Sequence, residues 1–188
     1  MPITFTKVSL PHGWLGNMSP YPIRYRGQEW RTAEALFQAL RFASPAIREE
    51  IRSQKSPMTA KMVAKQHGEK AMAFVPRSAP DLRLMRFVLT LKIKQHPDLR
   101  QRLVETAPLE IIEDVTNRAD RPGACFWGKA WKPEIKTWVG ENALGELWMD
   151  LRTDLRVGKE WPDSWCPRDT NGDGNCGSIL CPWCGDLP

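Results

Sequence analysis

Residues Gly27–Phe42 read GQEWRTAEALFQALRF, and after Thr32 the long polar side chains of this stretch fall at only three positions, Glu34, Gln38 and Arg41. Their i, i+4, i+7 spacing, at about 100° per residue, places them within roughly 60° of arc on a helix. Leu36, Phe37, Ala39, Leu40, Phe42 and Ala43 cover the remaining circumference. A helix so apolar is buried nearly all round. A carboxylate, an amide and a guanidinium buried with it must pair with one another or face a wet cavity. The stripe is therefore either an internal ion-pair network or the wall of a ligand pocket.

The flanking sequence reads as mainly helical with a few short strands, an α+β class. Thr32 is a plausible N-cap for this helix, which Ser44–Pro45 stops after about Ala43. On its N-terminal side, Ile3 to Val8 and Ile23 to Tyr25 read as extended pieces of a small β element, the second closing on a turn at Arg26–Gly27. On its C-terminal side, Ala46 to Gln54 is predicted helical, and Ser56–Pro57 is a cap and first-turn proline opening the next helix. Leu82, Met85, Val88, Leu89 and Lys92 mark a periodic helix ending near Gln95–Pro97, and a further helix carries Leu99 and Leu103. Ile111 and Ile112 make a short apolar stretch, a strand or a tight turn. Thr116 to Gly140, rich in breakers and holding Trp127, Trp131 and Trp138, is predicted to be a long loop. Ala143 to Leu155 places Leu144, Leu147, Trp148, Leu151 and Leu155 on a single face and is read as a core helix.

With 188 residues, 41% of them hydrophobic, the chain has room for one globular domain and a short appendage. No stretch approaches the roughly 18 uninterrupted apolar residues of a membrane span. MPITFTKVSLPHGW has neither the basic nor the apolar region of a secretory signal. The expectation is a cytoplasmic protein with no membrane partner. The formal charge of +5 is uneven: from Lys159 onward there are two basic and five acidic residues, so residues 1–158 carry +8. Such a basic body suits a phosphate-bearing ligand or nucleic acid, and equally an ordinary solvated surface.

Cysteine usage divides the chain at the same place. Cys125 stands alone, whereas Cys166, Cys176, Cys181 and Cys184 crowd the last residues. Residues 1–157 are read as the body and 158–188 as a Cys-rich tail. Four thiols ending in C-P-W-C form a candidate structural zinc site, although the first spacing is too long for a standard knuckle. A disulfide pair and free thiols are the alternatives.

GWLGNMSPYPI, GQEWRTAEALFQALRF, IREEIRSQKSPMTAK, LKIKQHPDLRQRLVETAPLEIIED, CFWG and WVGENALGELWMDLR succeed one another in this order. Together, over about Gly13 to Leu155, they resemble the NADAR family (NAD- and ADP-ribose-associated), which is related to bacterial N-glycosidases of riboflavin intermediates. The resemblance implies a compact, mostly helical fold that cleaves an N-glycosidic bond at a ribose. Its substrate is then either an ADP-ribosylated guanine, with DNA as partner, or a phosphorylated ribosylamino-pyrimidine. A non-catalytic module binding ADP-ribose or another NAD derivative is the third alternative. No cofactor is expected for catalysis.

N-glycoside cleavage develops positive charge at the anomeric carbon, which a fixed carboxylate stabilises. Glu34, in the first helical turn, where free N–H groups favour negative charge, is the expected carboxylate. Its alternative is an ion pair with Arg41. Gln38 is expected to orient the water or the ribose hydroxyls, its alternative being a helix-to-loop hydrogen bond. Many family members resemble QAxKF where this chain has Arg41. A guanidinium stays protonated and forms no Schiff base, so direct attack by water is favoured, with Arg41 holding a phosphate or ribose oxygen. Lys61 and Lys129 are the other amines considered. The resemblance further implies Glu113 as the acid that protonates the leaving nitrogen, its alternative being an exposed carboxylate at a strand end, and Asn17 and Ser19 as sugar or phosphate contacts or, more plainly, turn residues. It gives Trp30 and Trp127 as stacking platforms or, equally, ordinary core residues, Gly128 as part of a WGK motif in place of WGD, and Asn142 as the cap of a phosphate-facing helix terminus.

Overall fold

The structure, a computed structural model, describes residues 1–169, 174–177 and 181–183. Among the described residues, seven α-helices occupy Ala33–Leu40 (α1), Pro45–Arg52 (α2), Pro57–His67 (α3), Ala79–Gln95 (α4), Pro97–Glu105 (α5), Ala124–Trp127 (α6) and Ala143–Arg156 (α7). The same described residues hold six three-residue strands, Ile3–Phe5 (β1), Ile23–Tyr25 (β2), Gln28–Trp30 (β3), Ile111–Glu113 (β4), Ala130–Lys132 (β5) and Thr137–Val139 (β6). The mainly helical expectation holds. Among the described residues no helix is long and apolar enough to cross a membrane.

By packing, the chain forms two compact units, residues 1–19 with 96–159 and residues 20–95 with 160–188. From Glu160 the tail therefore groups with α1–α4. In the first unit β1 and β4 pair in parallel, Ile3 opposite Ile111 and Phe5 opposite Glu113. The Ile111–Ile112 stretch is thus a strand, and β1 pairs with it instead of with β2. Helix α7 lies against β4. It buries Leu144, Trp148 and Leu151, while Leu147 and Leu155 are half-buried. The Trp148 indole donates to the Leu15 carbonyl at 3.0 Å and meets the Trp14 ring edge-on with centroids 6.0 Å apart. The predicted 116–140 loop contains the β5–β6 hairpin, with Trp131 opposite Trp138.

In the second unit β2 pairs with β3 through a turn whose residues, Arg26 and Gly27, both have positive φ. Helix α1 begins as expected, the Thr32 hydroxyl accepting the Ala35 N–H at 3.2 Å. It ends sooner than predicted because Phe42 leaves the helix for an antiparallel bridge to Met72, while the Ala73 N–H takes the Arg41 carbonyl. All eight residues of α1 are buried, packed by α2, α3 and α4. The reading of a helix enclosed on every side is correct.

Candidate active site

The polar stripe of α1 forms one connected line. Gln38 Nε2 donates to Glu34 Oε1 at 2.9 Å, and Gln38 Oε1 accepts from Arg41 Nη1 at 3.3 Å. Arg41 then grips Asp81, at the start of α4, with two prongs: Nε to Oδ1 at 2.8 Å and Nη2 to Oδ2 at 2.6 Å. The Arg77 backbone N–H gives Asp81 Oδ2 a further bond of 2.6 Å. At the other end Lys61 Nζ, from α3, stands 3.4 Å from Glu34 Oε1.

Every member of this line but the last is buried. Asp81 is 0% exposed, Arg41 8% and Glu34 5%, whereas the Lys61 side chain is 53% exposed. The Asp81 end is thus a buried, two-pronged ion pair, and the line reaches the surface at Lys61, beside Glu34. Both contacts to the Glu34 carboxylate use Oε1; among the described residues Oε2 makes no hydrogen bond. A carboxylate held by one oxygen keeps the other for a water or a developing cation.

The ion pair considered for Glu34 is made by Lys61, not Arg41. The Arg41 fork, expected to face a phosphate or ribose oxygen, is filled by Asp81, and its guanidinium lies over the Phe37 ring at 4.1 Å. Gln38 bonds along the helix face instead of to a loop. Sequence reasoning missed Asp81; its one local signal is an acidic residue after Pro80 in a first helical turn, a position also common on solvated surfaces. It also passed over Lys92 of α4 as a titrating group. That side chain is 0% exposed with Nζ 5.3 Å from the Tyr21 ring centre, and burial lowers its pKa to about 7. Trp30 is 3% exposed, the burial of a core tryptophan, and among the described residues its indole nitrogen has no hydrogen-bond partner.

A second group of expected residues gathers in the first unit around β4. Glu113 Oε1 is bound by Arg118 Nη2 at 2.6 Å. Asn142 is 0% exposed and holds the same strand, its Oδ1 accepting from the Glu113 N–H at 3.1 Å and its Nδ2 donating to the Ile111 carbonyl at 2.8 Å. The Asn142 side chain therefore does not cap α7, as expected, but ties the helix start to the strand. Gly128 lies where any Cβ would collide with the Glu113 carbonyl, which also accepts the Lys129 N–H at 2.9 Å. Lys129 itself pairs with Glu110 at 2.6 Å. Trp127 closes α6 and is half-buried against Phe126, ring centres 5.1 Å apart. Ser19 serves a turn, its hydroxyl donating to the Gly16 carbonyl at 2.6 Å, and Asn17 lies half-buried in the same turn.

In the tail Cys166, Cys176 and Cys181 bring their sulfur atoms within 4.8 Å of one another, a group that could hold a metal ion. Cys184 lies outside the described residues.

The family model for the NADAR domain matches residues 4–156. N-glycosidase YbiA of Escherichia coli (strain K12) is 34% identical over 157 residues, covering 84% of this chain and 90% of that protein. N-glycosidase Npun_R5314 of Nostoc punctiforme is 27% identical over 165 residues, covering 83% and 94%. The NMR structure of the E. coli protein YbiA superposes with a TM-score of 0.63 at 32% identity, covering 84% of this chain and 88% of that one. Six motif blocks in order, the helical fold and matches over most of the length lead to one conclusion: the chain belongs to the NADAR domain family.

Proposed function

We propose that this protein is an N-glycosidase that hydrolyses the bond between ADP-ribose and a modified guanine base in nucleic acid. The observation that carries the reading is the Glu34 carboxylate, fixed through Oε1 by Gln38 and Lys61, with Oε2 making no hydrogen bond among the described residues, at the outer end of a buried polar line. Relatives named N-glycosidases support the reaction class. The net charge of +8 on residues 1–158 favours a polyanionic substrate.

In this reading the C1′–N bond breaks with its electron pair leaving on the base nitrogen, and Glu34 Oε2 faces the positive charge that develops at C1′. Water bonds to C1′ and gives up a proton to the carboxylate, while the leaving nitrogen takes one from solvent. Lys61 keeps Glu34 from rotating away, and Gln38 sets which oxygen it presents. Arg41 acts as a positioning residue through Gln38, since Asp81 occupies its fork. Glu113 is paired with Arg118 and would have to leave that cation before giving a proton to anything. A cytoplasmic location and a structural zinc ion in the tail, away from the reacting atoms, belong to the same reading.

Incubation with guanine-ADP-ribosylated DNA is expected to release free ADP-ribose. Glu34→Gln keeps the hydrogen bond to Gln38 but removes the charge, and should lower kcat by about 100- to 1,000-fold. Equal release by wild type and Glu34→Gln would overturn the assignment. A free phosphorylated ribosylamino-pyrimidine is the second reading, favoured by the match to YbiA over 90% of that protein's length. Release of ribose phosphate from the small molecule, with none from DNA, selects it.

A further inference from the structure

Among the described residues the tail cysteines form no disulfide, and their arrangement is that of ligands. Cys166 and Cys181 are each 1% exposed, with sulfur atoms 3.5 Å apart. A disulfide needs about 2.05 Å. Two thiolates on one tetrahedral zinc, each bonded at about 2.3 Å, lie roughly 3.8 Å apart, close to the separation found here. The Arg168 backbone N–H donates to Cys166 Sγ at 3.4 Å, an amide dipole directed at a sulfur that carries charge when it binds a metal. Gly177, directly after Cys176, has φ +73°, which lets the chain turn back at the ligand. Trp165, next to Cys166, and Trp183, two residues after Cys181, are each 4% exposed, with ring centres 6.4 Å apart.

Pro182 and Trp183, directly after Cys181, are attached to the end of α1. The Trp183 indole donates to the Leu40 carbonyl at 2.9 Å, one of the last carbonyls of a helix, which have no partner within it. Arg48 Nη1 donates to the Pro182 carbonyl and its Nε to the Phe42 carbonyl, both at 2.6 Å. The Tyr25 hydroxyl donates to the Trp183 carbonyl at 3.1 Å. Trp183 directly, and Pro182 through Arg48, thus reach the backbone on both sides of Arg41, the residue that joins the polar stripe to Asp81.

We infer that Cys166, Cys176 and Cys181 hold a zinc-class divalent ion that clamps Pro182–Trp183 onto the end of α1, fixing Leu40–Phe42 and, through Arg41 and Gln38, the position of Glu34. The inference rests on the structural-zinc part of the proposed function and is independent of the substrate. Three thiolates leave one tetrahedral vertex for a further donor. A tail without metal has no covalent link between Cys166 and Cys181, so ordering of Pro182 and Trp183 falls to hydrogen bonds and ring packing.

The full-length protein, reduced and stripped of metal, is titrated with Co²⁺ alone. Thiolate-to-cobalt charge-transfer bands and tetrahedral d–d bands saturating at one ion per chain, then displaced by Zn²⁺, are expected. Cys166→Ser/Cys181→Ser should lose them. Amide hydrogen exchange at residues 40–43 should slow by about tenfold or more when Zn²⁺ is added to the stripped wild type. Absence of the cobalt bands in wild type would overturn the site, and unchanged exchange at 40–43 would overturn the clamp. Neither readout depends on turnover, so failure of the glycosidase reading is scored separately by ADP-ribose release.

Discussion

Asp81→Asn removes one charge from a pair that the fold has withdrawn from water. The aspartate is 0% exposed and its partner Arg41 8%. Both oxygens accept from the guanidinium, at 2.6 and 2.8 Å, and one of them also takes the Arg77 N–H. Asparagine keeps the shape but offers one acceptor, turns an N–H toward the guanidinium, and leaves the Arg41 charge uncompensated. Breaking a buried pair in this way costs about 3–5 kcal/mol. With a urea slope near 2 kcal/mol per M, the unfolding midpoint should fall by about 1.5–2.5 M. Arg41→Met combined with Asp81→Leu removes both charges and fills the space, and should recover most of that loss, since apolar replacement of a whole buried pair is often neutral or stabilising by about 1–4 kcal/mol. Adding the single variants Arg41→Met and Asp81→Leu completes a cycle that isolates the pairing energy. A loss below about 1 kcal/mol for Asp81→Asn is the value of a solvated surface pair and would refute the burial argument. A double variant as unstable as the single would refute the claim that the stranded charge is the cause.

Arg41→Lys replaces the fork with a point charge that Asp81 would hold, so it should lower stability by about 1–3 kcal/mol; borohydride trapping should find no covalent sugar at position 41 and turnover should not rise. Lys92→Met should flatten the pH dependence of stability. The native pKa of about 7 lies below the ordinary lysine value of 10.5, so the unfolded chain holds the extra proton between those values, and stability from this group rises with pH through that window. Wild type should gain up to about 2.7 kcal/mol relative to Lys92→Met between pH 7 and pH 9, read from urea midpoints at both. Asn142→Ala leaves the buried Glu113 N–H and Ile111 C=O without their shared partner, and should cost about 2–4 kcal/mol and expose β4 to hydrogen exchange.

The helix that decides the site was legible because its pattern is local: three polar residues at one period in an apolar stretch declare both burial and a shared face. Thr32 and Ser56 were legible as caps for the same reason, each bonding an N–H three residues away. The features that escaped depend on contacts distant in sequence. Nothing near Ile3–Phe5 announces a parallel partner at 111–113, and the two strands align only once the intervening chain has folded. Strands β3, β5 and β6 have three residues each, too few for a period of two to stand out from a turn-rich stretch. Asp81 and Lys92 are ordinary charged residues on a helix until α1 or Tyr21 is placed beside them. The alternative between ion-pair network and pocket wall also had no sequence answer, because it turns on which end of the stripe reaches solvent.

That direction assigns the two buried carboxylates different work. Asp81 and Glu34 sit at the two ends of one line and face similar partners, a cation and a hydrogen-bond donor each. Asp81 has three bonds, uses both oxygens and is sealed, so no reacting carbon can approach it without first breaking the Arg41 pair. Glu34 uses one oxygen, and its cation is half in water. Gln38 stands between and is fixed at both of its ends: its N–H must point to Glu34 and its carbonyl to Arg41, because the reverse orientation would set oxygen against carboxylate and N–H against guanidinium. The amide therefore carries the rigidity of the Asp81–Arg41 pair to the Glu34 carboxylate. In the proposed reaction, a side chain that looked like a substrate contact acts by holding the neighbouring acid still.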